Sequence, residues 1–341
     1  MLVNVGKLMS HASTKGGGGV KHPFNPSLVD AWFMSGLSNV DKPSSIRGVK
    51  GNEMQLKNFA YSLSSGFGKY EVDFNSWKKE NTNINVTSSS ITITGVLEVN
   101  TLTTYKNEIS KEWKVKITGL PASKSIFYRY YEDSDKYKQY EMNKNGVYSL
   151  PPSKVFGSIA FICNSNALDK LTNLTITQLP SAYEGALVFD GVDDYGICNN
   201  LPILNDYTVI CRREIINKEF GAIASKRTSS SQWDGAFIFE RNNQLTSFGQ
   251  NNYRTIQQNN VSYMTTTSYN GDTISRGSLQ DTEYLVLGAD GFNIDLNRAH
   301  GFSNCAIYYF ALYNKSLTPE EVEEEKVKLE NYWEGGKNEL A

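Results

Sequence analysis

The sequence predicts an all-β chain: two antiparallel β-sandwich (jelly-roll) domains after an extended amino-terminal arm, closed by one helix. Three observations carry this. Aromatic residues are 12% of the 341, with 20 Tyr and 16 Phe among recurrent Thr, Ser and Asn, a composition that favours strands and turns. Short runs with period-two alternation recur between Gly, Pro, Asn and Asp signals from about residue 82 onward. Only one stretch, near the carboxy end, combines a cap, an acidic first turn and a helical apolar stripe. With 39% hydrophobic residues, the chain can bury more than one core.

Taken in order, residues 1 to about 26 read as an arm. Four consecutive glycines, Gly16 to Gly19, precede Pro23 and Pro26, which force extended backbone. The following stretch, "LVDAWFMSGLSN", holds Leu28, Val29, Trp32, Phe33, Met34 and Leu37, too apolar a group to leave in water. It either staples the arm to its own chain or enters a neighbouring subunit, so these six residues are the assembly and attachment candidates. Residues 1–80 are accordingly read as an attachment arm and oligomerisation segment.

Residues 81–181 carry seven strand-like runs: "ITITG", "EWKVKITGL", "SIFYRYYED", "YKQYEM", "GVYSL", "GSIAFIC" and "NLTITQL". Asn145-Gly146 supplies a hairpin turn before the fifth. Tyr128, Tyr130, Tyr131, Tyr137 and Tyr140 form either a binding stripe or, on the favoured reading, core plus sheet face. Residues 182–341 repeat the strand rhythm from "GALVFDG" to "NCAIYYFALYN" and then turn helical. Thr318 is the N-cap, Pro319 the first helical residue, and Glu321 completes a capping box. Val322, Leu329 and Trp333 share one face, along which Lys326 lays its stem, and Gly335 and Gly336 are expected to stop the helix.

The chemistry-bearing residues are few. Asp190, Asp193 and Asp194 crowd one turn after an apolar strand. Calcium needs six to eight oxygens and the turn lacks EF-hand spacing, so a structural turn closed by the Asp190 side chain is expected, with calcium the one cofactor it could hold. No strand carries the paired carboxylates that sugar cleavage needs, and His11, His22 and His300 lack a nucleophile motif, so no enzyme is expected. Cys163, Cys198, Cys211 and Cys305 have no metal-ligand spacing and read as buried free thiols. Sugars stack on aromatic rings while polar side chains bond their hydroxyls. "SSSQWDG" around Trp233 and "QNNYRTIQQNN" around Tyr253 and Arg254 offer that pattern, beside the alternative of a packed Trp and a solvated loop.

The net charge is -2, which recruits neither nucleic acid nor an anionic membrane, and no run of 18 apolar residues spans a membrane. Residues 1–70 hold eight cations against three acids, so the amino-terminal part suits an acidic partner or is a solvated basic arm. The start of the chain lacks the apolar core of a secretory signal, and synthesis in a cytoplasm is expected.

Three resemblances add to this. "LVFDGVDDYG", "DYTVICRRE", "YMTTTSYNGD" and above all "CAIYYFALYNKSLTPEEVEEEK" resemble a laminin-G-like, concanavalin A-like jelly roll, many of which bind glycans or proteins. The middle block is similar, in strand rhythm and aromatic content, to galactose-binding-like sandwiches. "VDAWFMSGLSNVDKPSSIRG" and "MQLKNFAYSLSSGFGKY" resemble the start of structural or fibre proteins of crAss-like and other Bacteroidales phages. Together they imply a homo-oligomeric virion protein, a head or tail fibre or decoration, that meets other virion proteins through its amino-terminal segment and surface glycans through its sandwiches. The alternatives are a stand-alone bacterial carbohydrate-binding protein or a glycan-degrading enzyme.

Overall fold

A computed structural model describes residues 23–133, 135–164, 171–217, 221–228, 234–256 and 259–337. They form two compact units. One contains the chain up to Ala60, Ser65–Phe67 and everything from Gly185; the other contains Tyr61–Ser64 and Gly68–Glu184. Both are antiparallel β-sandwiches, and the one α-helix among the described residues is Pro319–Lys337.

The boundary at residue 80 is therefore corrected. Leu28–Phe33 pairs antiparallel with Asn304–Tyr313, and Glu53–Lys57 pairs with Tyr195–Cys198, so residues 28–57 are strands of the carboxy-terminal sandwich. One edge of Asn304–Tyr313 is shared: Ala182–Asp190 pairs along its first half, from Asn304 to Ile307, and Leu28–Phe33 covers Tyr309 to Tyr313. Without the amino-terminal strand, that second half would be an apolar, unpaired edge. The apolar cluster thus staples to its own chain. Trp32 and Met34 are fully buried, Leu28, Phe33 and Leu37 are buried, and Val29 is half-buried. Residues 1–22 of the expected arm lie outside the described residues.

In this unit one eight-stranded sheet runs in the order Asp272–Thr273, Ser268–Tyr269, Asn259–Thr265, Thr208–Asn217, Asn304–Tyr313, Ala182–Asp190, Gly66–Lys69, with Leu28–Phe33 paired to Asn304–Tyr313 beside this path. The second sheet, also of eight strands, runs Ser45–Arg47, Glu53–Lys57, Tyr195–Cys198, Leu285–Leu287, Ala222–Arg227, Gly235–Arg241, Gln244–Ser247, Gln250–Tyr253. Their facing surfaces interlock through aromatics. Tyr207 meets Phe237 at 5.1 Å between ring centroids, and Tyr269 meets Phe239 edge-on at 6.5 Å. The first sheet's other face is covered by the helix. Val322, Leu329 and Trp333 are buried as the stripe predicts, and Arg212 stacks on Trp333 at 4.1 Å while bonding Glu330 at 2.6 Å. The capping box forms as read: the Thr318 amide donates to Glu321 and the Glu321 amide to Thr318 Oγ1.

Two local expectations change. Gly335 and Gly336 do not stop the helix, which continues to Lys337. A Cβ on Gly336 would stand 2.5 Å from Ser35 Oγ, so this glycine permits close packing against the chain's own start. Nor does Asn145-Gly146 turn a hairpin. Lys138–Met142 and Gly146–Leu150 belong to different sheets, and Asn145 instead clamps Leu120, accepting from its amide at 2.8 Å and donating to its carbonyl at 3.1 Å.

The middle unit contains all seven expected strands. Its two five-stranded sheets run Lys138–Met142, Ile126–Tyr130, Ile159–Cys163, Thr101–Tyr105, Lys78–Lys79 and Gly146–Leu150, Trp113–Thr118, Thr175–Leu179, Ser90–Ile93, Ile84–Val86. Phe74, Trp77, Trp113, Tyr128 and Phe161 pack as one aromatic cluster between them. Tyr128, Tyr130 and Tyr131 are buried, in line with the core reading, whereas Tyr137 is exposed.

Candidate functional site

Directly opposed residues of antiparallel strands share a sheet face. In the second sheet one such row can be followed from edge to edge: Ser45, Gln55, Ile197, Val286, Ser225, Ile238, Thr246, Asn251. This face points away from the other sheet. Its middle is roofed by a hairpin of Ala289–Asn293 and Arg298–Phe302, whose Ala289, Phe292 and Ala299 bury Ile197 and Val286, and Ser225 Oγ donates to the Ala289 carbonyl at 3.0 Å. Beyond the hairpin the row emerges into a groove of about 280 Å³, just below the usual size of small-molecule sites.

Ile238 and Leu279 give this groove apolar surface, and Gln244, Thr246 and Asn251 give it polar surface. The three polar side chains hold one another. Gln244 Nε2 and Thr246 Oγ1 both donate to Asn251 Oδ1, at 2.8 and 3.1 Å. Tyr253 is the cross-strand partner of Gln244, so its ring stands on the same face, and it is 69% exposed. The groove's one described carboxylate is Asp234, and its two cations are Arg227 and Arg241.

A local reversal of the strand puts Arg241 there. Regular alternation after the outward Ile238 and the inward Phe239 would send Glu240 out and Arg241 in. Glu240 instead has φ +55°, in the left-handed region, and a bulge separates Ile238 from Arg241 in the pairing with the next strand. Glu240 therefore turns into the sandwich, where its carboxylate binds Arg213 at 2.5 and 2.8 Å and accepts from Tyr269 at 2.8 Å, all fully enclosed. Arg241 turns out to the hairpin and meets Asp290 Oδ2 at 3.1 Å. Non-glycine residues in this region cost on the order of 1–3 kcal/mol, which the buried ion pair and its hydrogen bonds offset.

Asp290 collects a charged cluster at the groove's wall. Arg227 Nη1 lies 3.7 Å from its Oδ1, and His300 Nδ1 lies 4.0 Å from its Oδ2. Gly301 makes the approach possible, since it has φ +65° and a Cβ there would stand 2.7 Å from that of Asp290. Burial and the adjacent Arg241 hold the Arg227 guanidinium below its ordinary range, with Asp290 opposing them. Burial lowers the His300 pKa, Asp290 opposes this, and Arg227, Arg241 and Arg298 lower it further, so the imidazole is neutral at pH 7.

The three expected glycan-binding residues fare differently. Trp233 lies outside the described residues. Tyr253 stands beside the groove. Arg254 is tied to backbone, donating to the carbonyls of Tyr253 and Thr273, so it braces the edge strand. The residues the reading missed, Arg227, Arg241, Gln244, Thr246 and Asn251, carry no motif. They come together only through strand register and the Glu240 bulge.

Asp190, Asp193 and Asp194 do converge, their carboxylates within 4.8 Å of one another. Asp190 Oδ1 accepts from the Val192 amide at 2.7 Å, the turn closure expected of it. Asp194 is buried, accepts from the Asp190 amide and from Ser65 Oγ, both at 3.1 Å, and burial raises its pKa to about 7. Two of the three carboxylates therefore fasten the turn. The four cysteines are free and buried, and burial pushes the Cys163 thiol up to about 11 and those of Cys198 and Cys305 up to about 12.

No family model matches the chain, and no curated protein matches it. Among solved structures, Trypanosoma rangeli sialidase in complex with sialic acid matches at a TM-score of 0.29 and 11% identity, over 82% of this chain and 67% of that one. The same enzyme in complex with the inhibitor DANA matches at 0.29 and 10%, over 84% and 67%. Scores this low carry no argument about fold or activity. Among the described residues, no helix is long and apolar enough to cross a membrane.

Proposed function

We propose that this chain is a non-enzymatic adhesion protein, a virion fibre or decoration component, that holds surface glycans in the groove beside Tyr253. The observation that supports it most is the pairing of an exposed aromatic ring with a pre-bonded polar trio, Gln244, Thr246 and Asn251, on one sheet face. A pyranose presents an apolar face and a rim of hydroxyls, and this surface offers a partner for each. Asp234 is the only carboxylate among the groove's described lining residues, and glycosidases of the common kind need two, which supports binding without cleavage.

The virion assignment rests on the resemblance of the amino-terminal stretches. Since Trp32, Phe33 and Met34 are taken up in the chain's own core, attachment falls to residues 1–22 with their four glycines. The adhesion reading is tested on a glycan array with the wild-type chain and Gln244→Ala/Tyr253→Ala. Signal lost in the variant supports it, and wild-type chain that binds no glycan, or a variant that binds as well, refutes it. Antibody labelling of phage particles by electron microscopy tests the virion assignment separately.

A further inference from the structure

We infer that the saccharide held in this groove is acidic, its carboxylate seated on Arg227 and Arg241. The inference rests on the glycan-binding reading and adds the ligand's chemical class. Two guanidiniums, those of Arg227 and Arg241, stand at the groove's wall. Arg227 and Arg241 both line the groove and both lean on the same carboxylate, Asp290, which fixes two long side chains that would otherwise lose rotamer entropy on binding.

Their geometry supports recognition more than structure. The Arg213–Glu240 and Lys226–Asp281 pairs of this unit are fully enclosed, one cation to one acid. Asp290 instead faces two arginines and a histidine, and it is itself 7% exposed while the side chains of Arg227 and Arg241 are 19% and 29% exposed. The acid is inside and the guanidiniums are at the groove, so a ligand that enters meets their N–H donors first. His300 stays uncharged at neutral pH, so the charged donors at this wall are guanidiniums. Asp234 is the single lining carboxylate against two lining guanidiniums. A planar guanidinium presents paired donors that match a carboxylate, and in a half-enclosed groove such a bond is stronger than in open water. Ile238 and Leu279 supply apolar surface for the sugar ring beside the charged group.

The test is an array of hexuronate-containing oligosaccharides printed both as free acids and as methyl esters, with neutral oligosaccharides alongside. It is probed with wild-type chain, Arg241→Gln, Arg227→Gln and the conservative Arg241→Lys. The expected result is at least tenfold stronger binding to free acids than to their esters, lost in both Gln variants and partly kept in Arg241→Lys, with thermal unfolding confirming that each variant is folded. Equal binding to acids and esters, or to neutral sugars alone, overturns the inference while leaving glycan binding intact. Should Arg241→Gln fail to fold, the wild-type comparison of acids with esters still decides. No binding to any saccharide overturns both.

Discussion

Arg241 Nη1 lies 3.1 Å from Asp290 Oδ2, and that contact joins the sheet of Gly235–Arg241 to the hairpin that roofs it. It exists because the preceding residue is turned the wrong way for a regular strand. Glu240, at φ +55°, goes inward to Arg213 and sends Arg241 outward. The enclosed ion pair and the groove's electrostatics are thus two consequences of one bulge.

Glu240→Ala is therefore expected to be severe. It leaves Arg213, fully buried, without its carboxylate, which costs about 3–5 kcal/mol. Denaturant unfolding measures this, and Glu240→Gln, which keeps an acceptor, is expected to lose less.

Tyr253→Ala separates binding from folding. The ring is 69% exposed, so unfolding free energy should change by no more than about 0.5 kcal/mol. Loss of ring stacking should weaken glycan binding roughly three- to tenfold, equivalent to about 0.5–1.5 kcal/mol, by calorimetric titration.

Trp32→Ala tests whether the two ends of the chain share a core. The side chain is fully buried and its Nε1 donates to the Asn52 carbonyl at 3.1 Å, so truncation should cost about 3–5 kcal/mol. A fragment beginning at residue 182 lacks Leu28–Phe33 and leaves the edge from Tyr309 to Tyr313 uncovered, and light scattering should find it aggregated.

Asp194 sets a pH dependence. Its pKa is near 7 in the folded chain against about 3.9 unfolded, so the folded state holds a proton that the unfolded state releases between those values. The stability that Asp194 contributes is then fully present below about pH 4 and is lost as pH rises toward 7. Asp194→Asn should flatten that slope in thermal unfolding measured from pH 4 to 8.

Much of the fold is legible in the sequence because it depends on local pattern. Trp113, Val115 and Ile117 alternate as strands do, and Thr318 with Glu321 announces the helix. Long-range choices are not legible. Nothing near Leu28 says that it pairs with Tyr313, and nothing near Asn145 says that its side chain is spent on Leu120 rather than on a hairpin. Gly336 leaves room for Ser35 rather than ending the helix, a reason 301 residues away in the chain. The groove was half legible. Tyr253 stands out as an aromatic in an Asn/Gln run, whereas Arg227 and Arg241 reach it only through register and the inversion at Glu240, which a positive φ on a glutamate conceals from any periodicity.

The most direct measurement is a crystal structure of the chain with the oligosaccharide that binds it best on the array. The account predicts the sugar in the groove, bonded to Gln244 and Arg241, with a pyranose face against Tyr253. A saccharide seated elsewhere, such as among the loops of the middle unit around Tyr131 and Lys154, would contradict it.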